Sequence, residues 1–200
     1  AAIDTSGLGS LVVGGTIGAR GPSGSTYTVS ALHFEQADTT QLVISRRGYH
    51  GALDTSFGTN GFALTNLPIS SQIFPQAAMP TADGGLLVAA TFFDGQTGLE
   101  ARVCRFKLDG TPDLPFGGKQ TGCWAFPIAA SEASAVERPE DRRMALATYP
   151  QDRLVVAATI KDPQQMHSQV MLAVLDMTGA LDSGFGNQGT VILPNSDVDH

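Results

Sequence analysis

The sequence predicts an all-β protein: a β-propeller-like array of four-stranded antiparallel blades, about three of them in this chain. Three observations carry that expectation. A unit of the form Leu-Asp-x-x-Phe-Gly recurs at Leu53–Gly61, Pro112–Gly118 and Leu181–Gly189, its Phe-Gly pairs starting at 57, 116 and 185. Spacing of this size marks a modular architecture. Between the copies, short runs rich in apolar and β-branched residues alternate with glycine turns. Helical periodicity is missing; its one candidate, 131–143, carries Glu132, Glu137, Pro139, Glu140 and Asp141 and reads as a solvated loop.

Strands are expected in order at Ser10–Ile17, within Tyr27–Ser45, and at Phe62–Leu67, Phe74–Pro80, Leu86–Phe93 and Ala101–Leu108. Cys123–Ile128, Met144–Tyr149, Leu154–Ile160, Gln169–Met177 and Thr190–Leu193 follow. Arg20–Gly24 is an insertion, while Ala82-Asp83-Gly84-Gly85, Asp94–Gly98, Asp109-Gly110 and Pro150-Gln151-Asp152 are turns. Glycine in such turns supplies the backbone conformations that hairpins need. Cys104, Phe106 and Leu108 alternate with Val103, Arg105 and Lys107, as in a half-buried strand. Leu86–Ala90 and Leu154–Ala158 are apolar throughout, which suits inner strands covered on both faces.

A four-stranded sheet cannot hide two apolar faces alone, whereas sheets stacked about an axis cover one another. Counting strands from each signature, the chain opens late in one unit and closes with the first strand of another. A single domain over 1–200 is expected, with units at about 1–56, 57–115 and 116–184 and residues 185–200 starting the next blade. Three blades close no ring, so another chain, a second copy or a different polypeptide, is expected to complete it.

Composition narrows the function. Twelve basic against 19 acidic residues, a net charge of −7, disfavour nucleic acid. The apolar runs are too short to insert in a bilayer as helices. Ala1-Ala2 fits a chain released behind small residues by signal cleavage, so a secreted, cell-surface or periplasmic location is expected. Cys104 and Cys123 lie outside any C-x-x-C motif; adjacent blades would bring them together as a disulfide, with free buried thiols the alternative.

The residues Leu53, Asp54, Phe57, Gly58 and Gly61, then Asp113, Phe116 and Gly117, then Leu181, Asp182, Phe185, Gly186 and Gly189 carry a family resemblance. With Asp83-Gly84 before Leu86–Ala90 and Arg105–Gly110, the pattern resembles the bacterial delta-60 repeat family over most of 40–193. The second copy departs from it at Pro112 and at Gly118–Gly122, and residues 1–40 match poorly. The resemblance implies a propeller-like fold in exported or surface proteins and supplies no catalytic residues; function does not follow from such a fold.

The repeated Asp54, Asp113 and Asp182 suit turns better than a ligand site: a turn Asp bonds backbone N–H groups, Phe fills the gap between sheets, and Gly takes unusual dihedrals. Calcium loops need alternating oxygen ligands, which the signatures lack. His33, His50, His167 and His200 share no metal spacing, and the tail Asp197-Val198-Asp199-His200 reads as a solvated terminus. No serine sits in a nucleophile elbow, and Gly14–Gly18 lacks the lysine of a phosphate loop. Trp124, Phe126, Phe92 and Phe93 read as core rather than sugar platforms; Arg46-Arg47 and Arg142-Arg143 read as polar strand ends, with interface anchors the alternative. No catalytic, cofactor or metal residue is assigned. The expected role is a non-catalytic exported propeller scaffold with protein partners or a second copy of itself. The alternatives are a glycan-binding or glycan-acting propeller and an accessory subunit of an extracellular or periplasmic redox complex.

Overall fold

The computed structural model describes residues 11–34, 39–65, 72–94, 98–127, 143–150, 152–161 and 168–193. Twelve strands among them make three separate four-stranded antiparallel sheets, with no α-helix among the described residues. The first sheet holds β1 (Leu11–Arg20), β2 (Thr26–Phe34), β3 (Thr39–Arg47) and β4 (Phe62–Thr65). The second holds β5 (Gln72–Pro80), β6 (Leu86–Asp94), β7 (Gly98–Phe106) and β8 (Cys123–Ala125). The third holds β9 (Met144–Tyr149), β10 (Arg153–Lys161), β11 (Ser168–Asp176) and β12 (Thr190–Leu193). Every sheet is a meander in chain order, each strand pairing with the next.

Sheet membership differs from the expected grouping by one strand. Each signature joins the third strand of a sheet to the fourth strand of that same sheet, so β4 pairs β3 and β12 pairs β11. Thr190–Leu193 therefore finishes the third sheet, and the opening and closing strands are not fragments of one blade. The start of the chain differs from the expectation for a local reason. Tyr27–Ser45 forms two strands, β2 and β3, in continuous register from Thr26↔Arg47 to Phe34↔Thr39. The Arg20–Gly24 segment is the hairpin turn between β1 and β2, closed by Gly21 N–H to the Ser25 carbonyl at 2.8 Å.

The sheets meet chiefly through their first strands, β1 against β5 and β5 against β9. Two apolar layers result. Tyr27, Val29, Leu42 and Ile44 meet Leu86, Val88 and Phe106 between the first and second sheets. Leu87, Ala89, Val103 and Trp124 meet Leu154, Val156 and Leu175 between the second and third. Residues 86–92 of β6 are all buried because alternate side chains enter opposite layers. That is why its sequence shows no polar alternation.

Candidate functional site

What recurs most faithfully is a junction between neighbouring sheets, built by the signature. Residues 46–58, 105–117 and 174–186 align without a gap, anchored by the bridges Arg47↔Leu53, Phe106↔Pro112 and Leu175↔Leu181. In each copy the Phe N–H closes a turn on the Asp carbonyl: Phe57 to Asp54 at 3.1 Å, Phe116 to Asp113 at 2.9 Å, Phe185 to Asp182 at 2.9 Å. The following glycine has φ of +56° at Gly58, +77° at Gly117 and +54° at Gly186. A Cβ there would collide with the carbonyl of Phe62, Cys123 or Thr190, so both dihedral and space demand glycine. Gly61 and Gly189 then return an N–H to the Phe57 and Phe185 carbonyls at 2.9 and 2.8 Å. In the longer second copy Gly122 bonds Leu114 instead, at 3.1 Å.

From that turn the signature reaches the next sheet. Gly58 N–H donates to the Asp109 carbonyl at 2.7 Å, and Gly117 N–H to the Thr178 carbonyl at 2.9 Å. Phe57 and Phe116 are fully buried, at 0 % and 1 % exposure, against Gly110 and Gly179 of the receiving turns. Those two glycines have φ of +86° and +83°, and a Cβ on either would press into the incoming phenyl ring. Knob and socket thus need each other's shape.

An arginine eight positions before the signature Asp locks the contact. Arg46 donates from Nε to Asp54 at 2.8 Å and from Nη1 to the Leu108 carbonyl across the junction at 2.7 Å. Its guanidinium also lies over the Phe57 ring, 4.9 Å from the centroid. Arg105 donates to the Met177 carbonyl at 2.6 Å and to Asp83 at 2.7 Å, with Asp113 3.5 Å away. In the third copy the position is Val174, and Arg153 from the adjacent strand pairs with Asp182 instead. The fixed offset of eight between Arg46 and Asp54 and between Arg105 and Asp113 is the sequence signal for this role. Arg46 is an anchor within the chain, while the exposed Arg47 side chain bonds the Gly51 carbonyl of its own turn at 3.0 Å.

Small hydroxyl side chains complete the turns. Ser56 donates both N–H (3.1 Å) and hydroxyl (2.6 Å) to Asp54 Oδ1, and these bonds, with Arg46, hold its carboxyl below the ordinary value. The Thr81 hydroxyl does the same for Asp83, helped by Gly85 N–H and Arg105. Asp109 is lowered by Thr111. At Asp176 burial works upward, and bonds from Thr178, Ala180 and Gly179 outweigh it. These carboxylates are occupied in holding turns.

Cys104 and Cys123 form a disulfide. They face each other on paired strands β7 and β8 of one sheet, not across adjacent blades. Trp124, Phe126 and Phe92 are buried at 7 %, 5 % and 2 % exposure, which removes them as sugar platforms. His33 Nδ1 lies 3.2 Å from the Thr40 hydroxyl, and His50 stacks edge-on against Tyr49. Gly15–Gly18 sits in β1, paired with β2. Among the described residues no group of three metal-ligating side chains gathers. His167, the Asp197–His200 tail, Arg142 and most of the 131–143 segment lie outside the described residues. No helix of the described residues is long and apolar enough to cross a membrane. Compared with protein-family models, curated proteins and solved structures, the chain matches none.

Proposed function

We propose that the chain is a non-catalytic, exported β-propeller scaffold that works by assembly, its sheets arranged about a common axis. The observation that carries this is the face of the third sheet turned away from the second, which no described strand covers. There Val155, Ala157, Val170 and Leu172 occupy the register positions of Leu87, Ala89, Ala101 and Val103, the face of the second sheet that the third one covers. Val170 and its cross-strand partner Leu193 are 37 % and 40 % exposed, and Tyr149, paired with Arg153 at the opposite corner of the sheet, is 41 % exposed. A face with the composition of a buried layer is what an assembly surface requires. Three meanders meeting through their first strands agree with blades around an axis. The disulfide agrees with an oxidising compartment.

Size-exclusion chromatography with light scattering tests the reading, run beside a glycan array and a glycoside-hydrolase screen. Association with further copies or with co-purifying chains, and silence on glycans, is expected. A stable single copy that binds or cleaves sugars would replace this proposal with the glycan-acting one.

A further inference from the structure

The two internal junctions leave one half-junction at each end of the three-sheet array. At one end stands the third signature. Phe185 is only half-buried, in edge contact with Tyr149, where Phe57 and Phe116 are enclosed. Among the described residues no carbonyl receives Gly186 N–H as Asp109 and Thr178 receive its counterparts. At the other end stands the receiving turn of the first sheet, residues 48–51. It is built like the two filled ones: Gly48 N–H bonds the Ala52 carbonyl, as Lys107 bonds Thr111 and Asp176 bonds Ala180. Gly51 N–H bonds the Gly48 carbonyl, as Gly110 bonds Lys107 and Gly179 bonds Asp176. Gly51 has φ of +79°, close to that of Gly110 and Gly179. Yet a Cβ on Gly51 would meet nothing within 4 Å, where the same atom on the other two meets a phenylalanine.

We infer that these halves belong to each other in different copies: the third signature and outer face of one copy dock head to tail on the 48–51 turn and outer face of a second. Phe185 would enter the socket at Gly51, and Gly186 N–H would meet the His50 carbonyl. The partner is thus a second copy of this chain, which makes specific the assembly proposed above and rests on that reading. The receiving face sets the strength. Ser45, Val43 and Leu32 on this face are already buried, and the half-buried Thr28 and Ser30 stand where the covered second sheet has Val88 and Ala90. Hydroxyls at these places keep some water, so the contact between copies is reversible, unlike the apolar layers inside each copy.

A head-to-tail contact uses two different surfaces, so two defective variants can complement each other. Gly51→Asn blocks the socket; asparagine accepts positive φ and has open space there in the single copy. Phe185→Ser removes the knob. Native mass spectrometry and light scattering over a concentration series are expected to show wild-type association that is lost in each variant alone. An equimolar mixture regains a heterodimer, because the intact signature of one variant meets the intact turn of the other. Melting midpoints measured on dilute single copies stay near wild type for Gly51→Asn. If Phe185→Ser lowers its own midpoint, Val170→Lys on the same face takes its place. Association that survives both substitutions, or a mixture that regains nothing, overturns this contact while leaving the scaffold reading intact. The scaffold reading falls on a separate result, glycan binding or turnover by the wild-type chain.

Discussion

Arg46 and Arg47 are neighbours in sequence with opposite duties, because successive side chains on a strand enter opposite faces. Arg46 is 9 % exposed and bridges two sheets; Arg47 is exposed. Arg46→Ala strands the Asp54 carboxylate and the Leu108 carbonyl, and is expected to cost about 2 kcal/mol, less than a fully buried pair because Asp54 is a third exposed. Arg47→Ala is expected to stay within about 0.5 kcal/mol. Urea denaturation of both variants checks the contrast; equal midpoints would contradict it. Acid has a defined sign. Asp54, Asp83, Asp109 and Asp176 all sit below their ordinary 3.8 in the folded chain. The unfolded chain therefore binds protons first, and the stability these groups contribute is present above that value and fades as pH falls through the lowered ones. Denaturation midpoints should hold steady down to about pH 4 and then fall, and Asp109→Asn should make the fall shallower. A midpoint that stays level to about pH 2 would contradict this. At this scale the sequence was legible where it repeated. The Asp-x-x-Phe-Gly turn reads as structural from the recurrence of Asp54, Asp113 and Asp182, each followed by a Phe-Gly pair. The arginine lock was missed, since Val174 breaks its spacing in the third copy and Arg153 restores the charge from another strand.

The three signatures are alike in residue type, and what differs is what lies over them. Phe57→Ala empties an enclosed site and is expected to cost about 3–4 kcal/mol, whereas Phe185→Ala, half-exposed in a single copy, is expected to cost about 1 kcal/mol. Chemical denaturation at low protein concentration compares them, and equal losses would mean the third signature is already covered. The disulfide belongs to this scale as well. Cys104 and Cys123 lie 19 residues apart in sequence, so reduction is expected to cost about 3 kcal/mol through the freed loop, without separating the paired strands β7 and β8. Strands β5 to β7 and β9 to β12 were legible from apolar runs bounded by turns. Their grouping was not, because a repeat fixes the period of a chain and leaves open where one sheet stops. The signature looks like a boundary in sequence, yet its bonds to Asp109 and Thr178 make it the place where one finished sheet grips the next. Tyr27–Ser45 reads as one strand in sequence because Phe34–Thr40 contains no glycine or proline to signal a break.

For the whole molecule, two apolar layers hold three sheets, and each outer face carries half of the same junction. The expectation of a ring finished by another chain rested on fragments of a blade at the two ends. Complete sheets replace those fragments, and the proposal of a neighbour now rests on Phe185, Gly186 and Gly51. The most direct measurement is native mass spectrometry of the undisturbed protein across a range of concentrations. Species at twice the chain mass that dissociate on dilution, each copy still folded, are the predicted result. A single copy at every concentration would contradict the account.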